Sequence, residues 1–254
     1  MGKPLQKIGL ILIGNELLNG SRQDKHMGHA IQLLQKRGLS LSWVRIIGDS
    51  KAQLISTFTQ TFALDDVVFS FGGIGATPDD ITRLCAAEAS EKKLIRHPQA
   101  QTLIENQFGA DAYPNRILMS DLPEGADLIP NPVNNIPGFK VGNHHFVPGF
   151  PDMAWPMIEW VLDTHYSHLF NHHPDTEVRW DILGVPESTL LDSMNELVDK
   201  FPTVDLSSLP STEHRGELID FGLKGQAEDL LSASTWLEDR LDEMNVSYKV
   251  TKQL

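Results

Sequence analysis

A glycine-rich turn followed at once by two carboxylates is the part of this sequence whose residue types are suited to chemistry. The turn spans residues 72–77, and Asp79 and Asp80 come directly after Pro78. Backbone N–H groups in such a turn, at the start of a helix, bind anions well. Carboxylates beside a bound phosphate repel it unless a cation lies between them. We therefore interpret the stretch as a site for a phosphorylated ligand together with a divalent metal.

An ordinary turn is the alternative interpretation of the same residues. Glycines after a strand are common in turns that bind nothing. Acidic residues in the first turn of a helix stabilise the helix by their interaction with its dipole, and this needs no ligand. This stretch by itself does not separate the two interpretations, so the rest of the chain has to decide between them.

The elements around the turn follow the order strand, turn, helix. The small and apolar residues of Val67–Phe71 predict a buried strand. Pro78 is expected at the first position of the following helix, with Thr77 as its cap. Apolar residues at helical spacing continue the helix through Cys85.

Two earlier predicted strands also end in an acidic or glycine-containing turn. The apolar run Ile8–Ile13 leads into Gly14 and Glu16, and a strand over residues 41–47 leads into Asp49. Strands in a parallel sheet end at one common edge, where ligands bind. We therefore expect Glu16, Asp49 and the acids of the glycine turn to lie near one another, which favours the ligand-site interpretation.

Strand and helix patterns alternate through the first two thirds of the chain. This alternation predicts a three-layer α/β/α domain with a mostly parallel sheet over residues 1–170. Residues 175–254 give the order βαββαβ, with one of the strands predicted over residues 217–223. That order predicts a small two-layer α+β domain.

Composition limits the classes of partner. The 254 residues are 41% hydrophobic and 22% charged, as in ordinary globular proteins, and the net charge of -13 argues against a nucleic-acid surface. The chain has one cysteine, Cys85, so no intramolecular disulfide is possible. No apolar run has the length of a membrane span, and we interpret Ile8–Ile13 as a strand rather than a signal peptide. A cytoplasmic location is expected.

Several short strings in the chain resemble one known family in the order in which they occur. They are similar to the molybdopterin-binding fold, and most of all to the amino-terminal part of the competence/damage-inducible CinA proteins. The strings are IGNELL at 13–18, IGD at 47–49, GGIGATPDDIT at 72–82, NP at 131–132, PGF at 137–139 and PGFP at 148–151.

The resemblance implies a function as well as a fold. Relatives in molybdenum-cofactor synthesis bind molybdopterin or its adenylate with Mg²⁺, and the CinA amino-terminal branch is associated with hydrolysis of the pyrophosphate of ADP-ribose. A nucleotide or pterin ligand and a divalent metal such as Mg²⁺ are therefore expected, as is a homo-oligomer. The carboxy-terminal deamidase domain of full CinA proteins finds no counterpart here, so nicotinamide-mononucleotide deamidation is not expected.

The same resemblance assigns roles to individual residues. Asp49 and Asp80 match acids that are needed for catalysis, and with Glu16 they form the expected metal ligands. Arg83, one turn into the predicted helix, either neutralises a phosphate or forms a surface ion pair with a neighbouring acid. The expected ligand-binding residues are Gly14, Glu16, Gly72, Gly73, Gly75, Thr77, Thr82 and Arg83.

Two departures from the family pattern lie in the expected site. Ala76 stands where a proline is usual, and Lys25-His26 replaces a usual threonine-asparagine. Three hypotheses remain open at this point. The first is a metal-dependent ADP-ribose pyrophosphatase, the second a nucleotide or pterin binding module without turnover, and the third a degenerate member kept for oligomerisation.

Overall fold

The structure is a computed structural model that describes residues 6–172, 174–211 and 218–252. The chain divides into two compact units, Met1–Phe170 and Asn171–Leu254. Each unit has a hydrophobic core of its own. Among the described residues, no helix is both long and apolar enough to cross a lipid bilayer.

The first unit alternates strands and helices, with an irregular segment before its last hairpin. Its strands are β1 (Ile8–Ile13), β2 (Trp43–Ile47), β3 (Val67–Phe71), β4 (Leu94–Arg96), β5 (Asp121–Pro123), β6 (Asp127–Ile129), β7 (Gly138–Val141) and β8 (His144–Val147). Its helices are α1 (Asn15–Leu18), α2 (His26–Gln35), α3 (Lys51–Phe62), α4 (Thr82–Ala89), α5 (Pro98–Phe108) and α6 (Pro151–His165).

The main sheet of this unit has the strand order β2-β1-β3-β8-β7-β6. Strands β2, β1, β3 and β8 pair in parallel, whereas β7 is antiparallel to both of its neighbours. Helices α2 and α6 pack on one face of the sheet, and α3 and α4 pack on the other. The predicted three-layer α/β/α domain with a mostly parallel sheet is confirmed.

Residues of one strand alternate between the two faces, and β8 illustrates this with adjacent histidines. His144 lies against Phe62 of α3, with 4.4 Å between ring centroids, and neither of its ring nitrogens has a partner in the described chain. His145 lies on the other face, where Nδ1 donates to the carbonyl of Val68 and the Tyr166 hydroxyl donates to Nε2. Burial lowers the pKa of each imidazole to about 3.

The second unit has the order βαββαβ that the sequence predicts. The elements are β9 (Thr176–Leu183), α7 (Leu191–Lys200), β10 (Asp205–Pro210), β11 (Leu218–Gly225), α8 (Ala227–Glu243) and β12 (Ser247–Lys252). The four strands form one antiparallel sheet in the order β10-β11-β9-β12, and apolar residues of both helices share its core with the sheet. The predicted strand over 217–223 corresponds to β11, although Glu217 itself lies outside the described residues.

The start of α4 differs from the sequence expectation. The helix begins at Thr82, not at Pro78, and Ile81 occupies its N-cap position. The reason is local hydrogen bonding, because the amide of Asp80 donates to the carbonyl of Thr77 at 3.0 Å and the Thr77 amide donates back to the Asp80 carboxylate. Residues 77–80 therefore close a separate turn that extends the glycine loop.

Candidate functional site

A cavity of about 460 Å³ opens at the carboxyl edge of the parallel strands. The loops that follow β1, β2, β3 and β8 all contribute to its walls. Glu16, Asp49 and Asp80 line this one cavity together with the glycine loop. The structure thus brings the acids from three separate turns to one place, as expected from the direction of the strands.

Two glycines of the loop are required by its shape. Gly73 adopts φ +69°, a left-handed conformation that suits glycine, and a methyl group there would collide with the hydroxyl of Thr82. A methyl group on Gly75 would collide with Oδ2 of Asp80. The loop can therefore lie close to the start of α4 only because these positions lack side chains.

Consecutive backbone amides of this loop are left without acceptors. No acceptor within the described part of the chain pairs with the N–H groups of residues 73–76, from Gly73 to Ala76. The amide of Gly72 differs, since it donates to the carbonyl of Val147 at 3.0 Å and so continues the sheet. Of the three glycines expected to hold phosphate, Gly73 and Gly75 therefore offer free donors, and Gly72 shapes the bend.

Asp80 is held in place by Thr77 at the end of the loop. Its Oδ2 accepts from the backbone amide of Thr77 at 2.9 Å and from the Thr77 hydroxyl at 2.5 Å. Its Oδ1 has no hydrogen-bond partner among the described residues. One oxygen thus fixes the carboxylate, and the other is available to a ligand, a water or a cation.

Asp49 is fixed in a similar way by its neighbour from the first loop. The amide of Asn15 donates to Oδ2 of Asp49 at 2.9 Å, and the amide of Asp49 donates to Oδ1 of Asn15 at 3.2 Å. This reciprocal pair connects the turn after β1 to the turn after β2. Gly14 adds to the connection, since its amide donates to the carbonyl of Ile47 at 3.0 Å.

The cavity carries an excess of negative charge. Four carboxylates line it, and Arg22 supplies the one guanidinium in its wall. The Arg22 guanidinium is 3.6 Å from the carboxylate of Glu16, an ion pair in which both side chains are about half exposed. The balance of three negative charges means that a phosphate needs donors or a cation from elsewhere to enter. The four carboxylates are Glu16, Asp49, Asp79 and Asp80.

Thr82 and Arg83, both expected to touch the ligand, lie behind the loop and do not line the cavity. The buried Thr82 hydroxyl donates to the carbonyl of Gly72 at 3.1 Å. Arg83 is 8% exposed, and its guanidinium donates to the carbonyls of Gly75 at 2.7 Å, Leu118 and Asp121. Burial lowers the pKa of Arg83. These contacts hold the loop in shape and replace the surface ion pair that was the alternative for Arg83.

The cavity wall also contains residues to which the sequence analysis assigned no role. Asn131 is 3% exposed, and its Oδ1 accepts from the amide of Val133 at 3.0 Å, which leaves Nδ2 without a partner among the described residues. Phe150 is 57% exposed and lines the same wall with Met153. The Asn-Pro and Pro-Gly-Phe-Pro strings of the resemblance include Asn131 and Phe150, although they did not indicate that these side chains line the cavity.

The acids do not form a ready-made metal centre. The described residues contain no group of three histidines, cysteines or acids arranged to hold a metal ion. Glu16, Asp49 and Asp80 therefore share the cavity without meeting as a three-carboxylate site. Mg²⁺ is commonly held by one or two carboxylates together with ligand phosphates, and Asp49 and Asp80 suit that arrangement.

Comparison with known families matches residues 9–168 to the family described as "Probable molybdopterin binding domain". The chain is 30% identical over 198 residues to a putative competence-damage inducible protein of Halothermothrix orenii, covering 75% of this chain and 48% of that protein. It is also 30% identical over 209 residues to a CinA-like protein of Colwellia psychrerythraea, covering 79% of this chain and 48% of that one. The chain thus spans about half the length of these curated relatives.

A solved structure is similar to a large part of this chain. The CinA protein of Thermoplasma acidophilum, described as having unknown function, superposes with a TM-score of 0.58 and 25% sequence identity. The match covers 63% of this chain and 98% of that one. Taken with the family match over more than half of the residues, this likeness shows that the chain belongs to the probable molybdopterin-binding domain family and has CinA-like proteins among its relatives.

Proposed function

We propose that this cavity binds a phosphorylated nucleotide or pterin and that the protein hydrolyses a diphosphate of the ADP-ribose type with the help of a divalent cation. The observation that carries the proposal is the run of four free amides from Gly73 to Ala76, in a loop that shares one cavity with Asp49 and Asp80. Buried or half-buried donors without acceptors are uncommon in native proteins unless a ligand or water satisfies them.

The glycine loop has the main role in binding. Its free amides donate to the oxygens of one phosphate, and they become more stabilising as negative charge develops on the oxygen that leaves the anhydride. Thr82 and Arg83 keep these amides in position by holding the carbonyls of Gly72 and Gly75. Their role in this proposal is therefore positioning rather than contact with the ligand.

The carboxylates of Asp80 and Asp49, which their hydrogen bonds hold in place, have separate roles: one activates the attacking water and the other binds a cation that offsets the phosphate charge. Oδ1 of Asp80 has no partner in the described chain and accepts a proton from the attacking water. The pairing with Asn15 holds Asp49 at the same cavity, so that its carboxylate is available to a cation that enters with the phosphates. Such a cation, most simply Mg²⁺, would be held by Asp49 and the ligand phosphates, and it would offset the charge of the anhydride and lower the pKa of a bound water.

The direct test is hydrolysis of ADP-ribose by the purified protein with Mg²⁺, Mn²⁺ or Co²⁺. We expect AMP and ribose phosphate as products, and a loss of roughly 100-fold in turnover for Asp80→Asn, because loss of a positioned proton acceptor typically has that effect. Asp181→Asn, on β9 of the second unit, is the matched control and should retain full activity. Equal activity of Asp80→Asn and the control would contradict the proposal.

A binding module without turnover is the second candidate. It is favoured by one observation, namely that the described residues form no group of three ligands for a resident metal. Calorimetry that detects binding of ADP-ribose or of a pterin phosphate, together with an assay that finds no product, would support this alternative. A chain that gives no thermal shift with any such compound would instead support the degenerate oligomerising member.

A further inference from the structure

An asparagine followed directly by a glycine occurs once in this sequence, at Asn19-Gly20. The pair comes directly after the short helix α1 and begins the loop that leads to α2. Asn19, Gly20 and Ser21 are all exposed. An asparagine in such a turn can react with its own main chain, because the amide nitrogen of the next residue can attack its side-chain carbonyl carbon, Cγ.

The first unit contains three asparagines with the same local hydrogen bond, so their surroundings can be compared. The side-chain oxygen of each one accepts from the amide two residues ahead, at 2.9 or 3.0 Å. This bond folds the side chain back over the peptide group that follows. The three residues are Asn19, Asn131 and Asn134.

The nitrogen that follows each of these asparagines differs. After Asn131 comes Pro132, whose nitrogen carries no hydrogen and cannot be the attacking group. After Asn134, the amide of Asn135 is engaged, since it donates to the carbonyl of Asn131 at 3.1 Å. The amide of Gly20 donates to no acceptor in the described part of the chain. Of the three nitrogens, that of Gly20 is therefore the one free to attack.

Gly20 also leaves space for the reaction. It adopts φ +76°, and no atom lies within 4 Å of the position that a β-carbon would occupy. A glycine nitrogen has no neighbouring side chain to shield it, and glycine changes its backbone conformation at little cost. The turn can therefore rearrange when the nitrogen approaches Cγ of Asn19.

We propose that Asn19-Gly20 is a site of spontaneous deamidation. The amide nitrogen of Gly20 bonds to Cγ of Asn19, and the side-chain amide leaves as ammonia with the proton that Gly20 loses. Water then opens the resulting succinimide ring at either of its carbonyl carbons. One opening gives aspartate, and the other gives isoaspartate, in which the main chain runs through the former side chain. The net reaction consumes water and releases ammonia.

The products change the loop that carries Arg22, the guanidinium in the cavity wall. Both add a carboxylate to this loop. The amide of Arg22 donates to the carbonyl of Glu16 at 3.1 Å, so residues 16–22 form a closed turn, and isoaspartate lengthens the main chain inside it. Added negative charge and a displaced guanidinium both disfavour a bound phosphate. This consequence, unlike the reaction itself, rests on the proposed function.

The test of the reaction is peptide mapping by mass spectrometry after the full chain has been kept at neutral and at mildly alkaline pH. The peptide with Asn19 should gain the mass of an exchange of NH₂ for OH, as a mixture of aspartate and isoaspartate. Conversion should be faster at the higher pH, because base removes the proton of the attacking nitrogen. The peptides with Asn131 and Asn134 are internal controls and should stay unmodified over the same period.

Two variants separate the roles of the side chain and the nitrogen. Gly20→Ala should slow the conversion of Asn19 about tenfold, because a β-carbon crowds the attacking nitrogen and restricts the turn. Asn19→Gln should abolish it, because a longer side chain closes a larger ring less readily. Conversion of Asn19 no faster than that of Asn134 would overturn the site, and aspartate without isoaspartate would overturn the succinimide route.

The consequence is tested on chains enriched in isoaspartate by ion exchange and titrated with AMP by calorimetry. Their affinity should be about threefold or more below that of the unmodified chain, while Asn19→Gln kept under the same conditions retains its affinity. Equal affinity of the modified and unmodified chains would overturn the effect on the cavity. If the unmodified chain does not bind AMP, the proposed function fails while the peptide map still decides the deamidation, so the two failures are distinguishable.

Discussion

Charged side chains are paired on the sheet of the second unit, whereas most of the acids at the carboxyl edge of the first unit's sheet have no cationic partner in the described chain. On the second unit's sheet, Arg179 pairs with Glu177 at 2.7 Å and with Asp220 at 2.7 Å, and Lys252 pairs with Glu177 at 2.8 Å. At the carboxyl edge of the first unit's sheet, acids gather around free amides with one exposed ion pair between them. Folding alone tends to pair opposite charges, so the lack of a cationic partner for Asp49, Asp79 and Asp80 in the described chain supports the proposed ligand site.

Strand direction explains why the two sheets differ. Parallel strands deliver all of their carboxyl-end turns to one edge, and this is how residues from the turns after β1, β2 and β3 reach one cavity. In the second unit's sheet, β9 and β10 run in one direction and β11 and β12 in the other, so the carboxyl ends of its strands are divided between two edges. Its charged side chains instead meet across neighbouring strands and neutralise one another.

The largest loss of stability is expected when the buried guanidinium of Arg83, which donates to the glycine loop at Gly75, is removed. Arg83→Met should destabilise the protein by roughly 2–3 kcal/mol, because three partly buried carbonyls lose the guanidinium that now donates to them. ADP-ribose affinity should fall as well, since the carbonyl of Gly75 is no longer held. Urea denaturation and calorimetry measure the two effects.

Arg96→Met is the control for that substitution. Arg96 also pairs in this region, with the carboxylate of Asp121 at 2.5 Å, but its side chain is 35% exposed and it does not line the cavity. We expect less than about 1 kcal/mol of destabilisation and an unchanged affinity. Equal effects of the two variants would mean that Arg83 is an ordinary ion-pairing residue.

Acid should weaken the first unit through its buried histidines. The pKa of His144 is about 3 in the folded state and near 6.5 when unfolded, so the unfolded chain binds more protons between those values. Stability therefore falls as the pH decreases below about 6.5, by roughly 2 kcal/mol between pH 6.5 and 5 from this residue alone. His144→Phe should reduce this pH dependence in urea titrations, and an unchanged slope would contradict the assignment.

The smallest effect is expected on the second unit's sheet. Arg179→Met removes a partly exposed guanidinium from a network whose remaining charges stay hydrated, so the loss should be less than about 1 kcal/mol. ADP-ribose affinity and turnover should not change. A measurable loss of ADP-ribose affinity or of turnover would contradict the distinction between the ion-paired sheet of the second unit and the ligand-binding edge proposed for the first.

The sequence predicted the parts of this molecule that are encoded locally. Apolar runs such as Ile8–Ile13 indicate strands covered on both faces, and strand direction then places the acids at one edge. The predicted start of α4 at Pro78 was wrong because the Asp80 carboxylate accepts a hydrogen bond from the amide of Thr77 and closes a separate turn. Residue propensities do not determine which way this carboxylate points. The burial of Arg83 depends on the carbonyl of Leu118, 35 residues away, so no local pattern could indicate it.

Another part of the cavity wall was missed for a related reason. Asn131 and Phe150 belong to turns rich in proline and glycine, where side-chain direction follows from tertiary packing rather than from periodicity. The position of His26 beside Gly149 likewise joins segments that are 123 residues apart. The cavity's acidic wall could be predicted from strand ends, whereas its other walls required the fold.

The most direct measurement is the calorimetric affinity for AMP and ADP-ribose of two glycine variants. Gly73→Ala and Gly184→Ala both place alanine at a left-handed position, φ +69° and +76°, but only Gly73 of the two lies in the cavity wall. Gly184→Ala should destabilise the protein by about 1 kcal/mol, and Gly73→Ala by more, because its methyl group also meets the Thr82 hydroxyl whereas nothing lies within 4 Å of a methyl group at Gly184. We expect at least a tenfold loss of both affinities for Gly73→Ala and no loss for Gly184→Ala; equal affinities for the two variants would contradict a phosphate site at this loop.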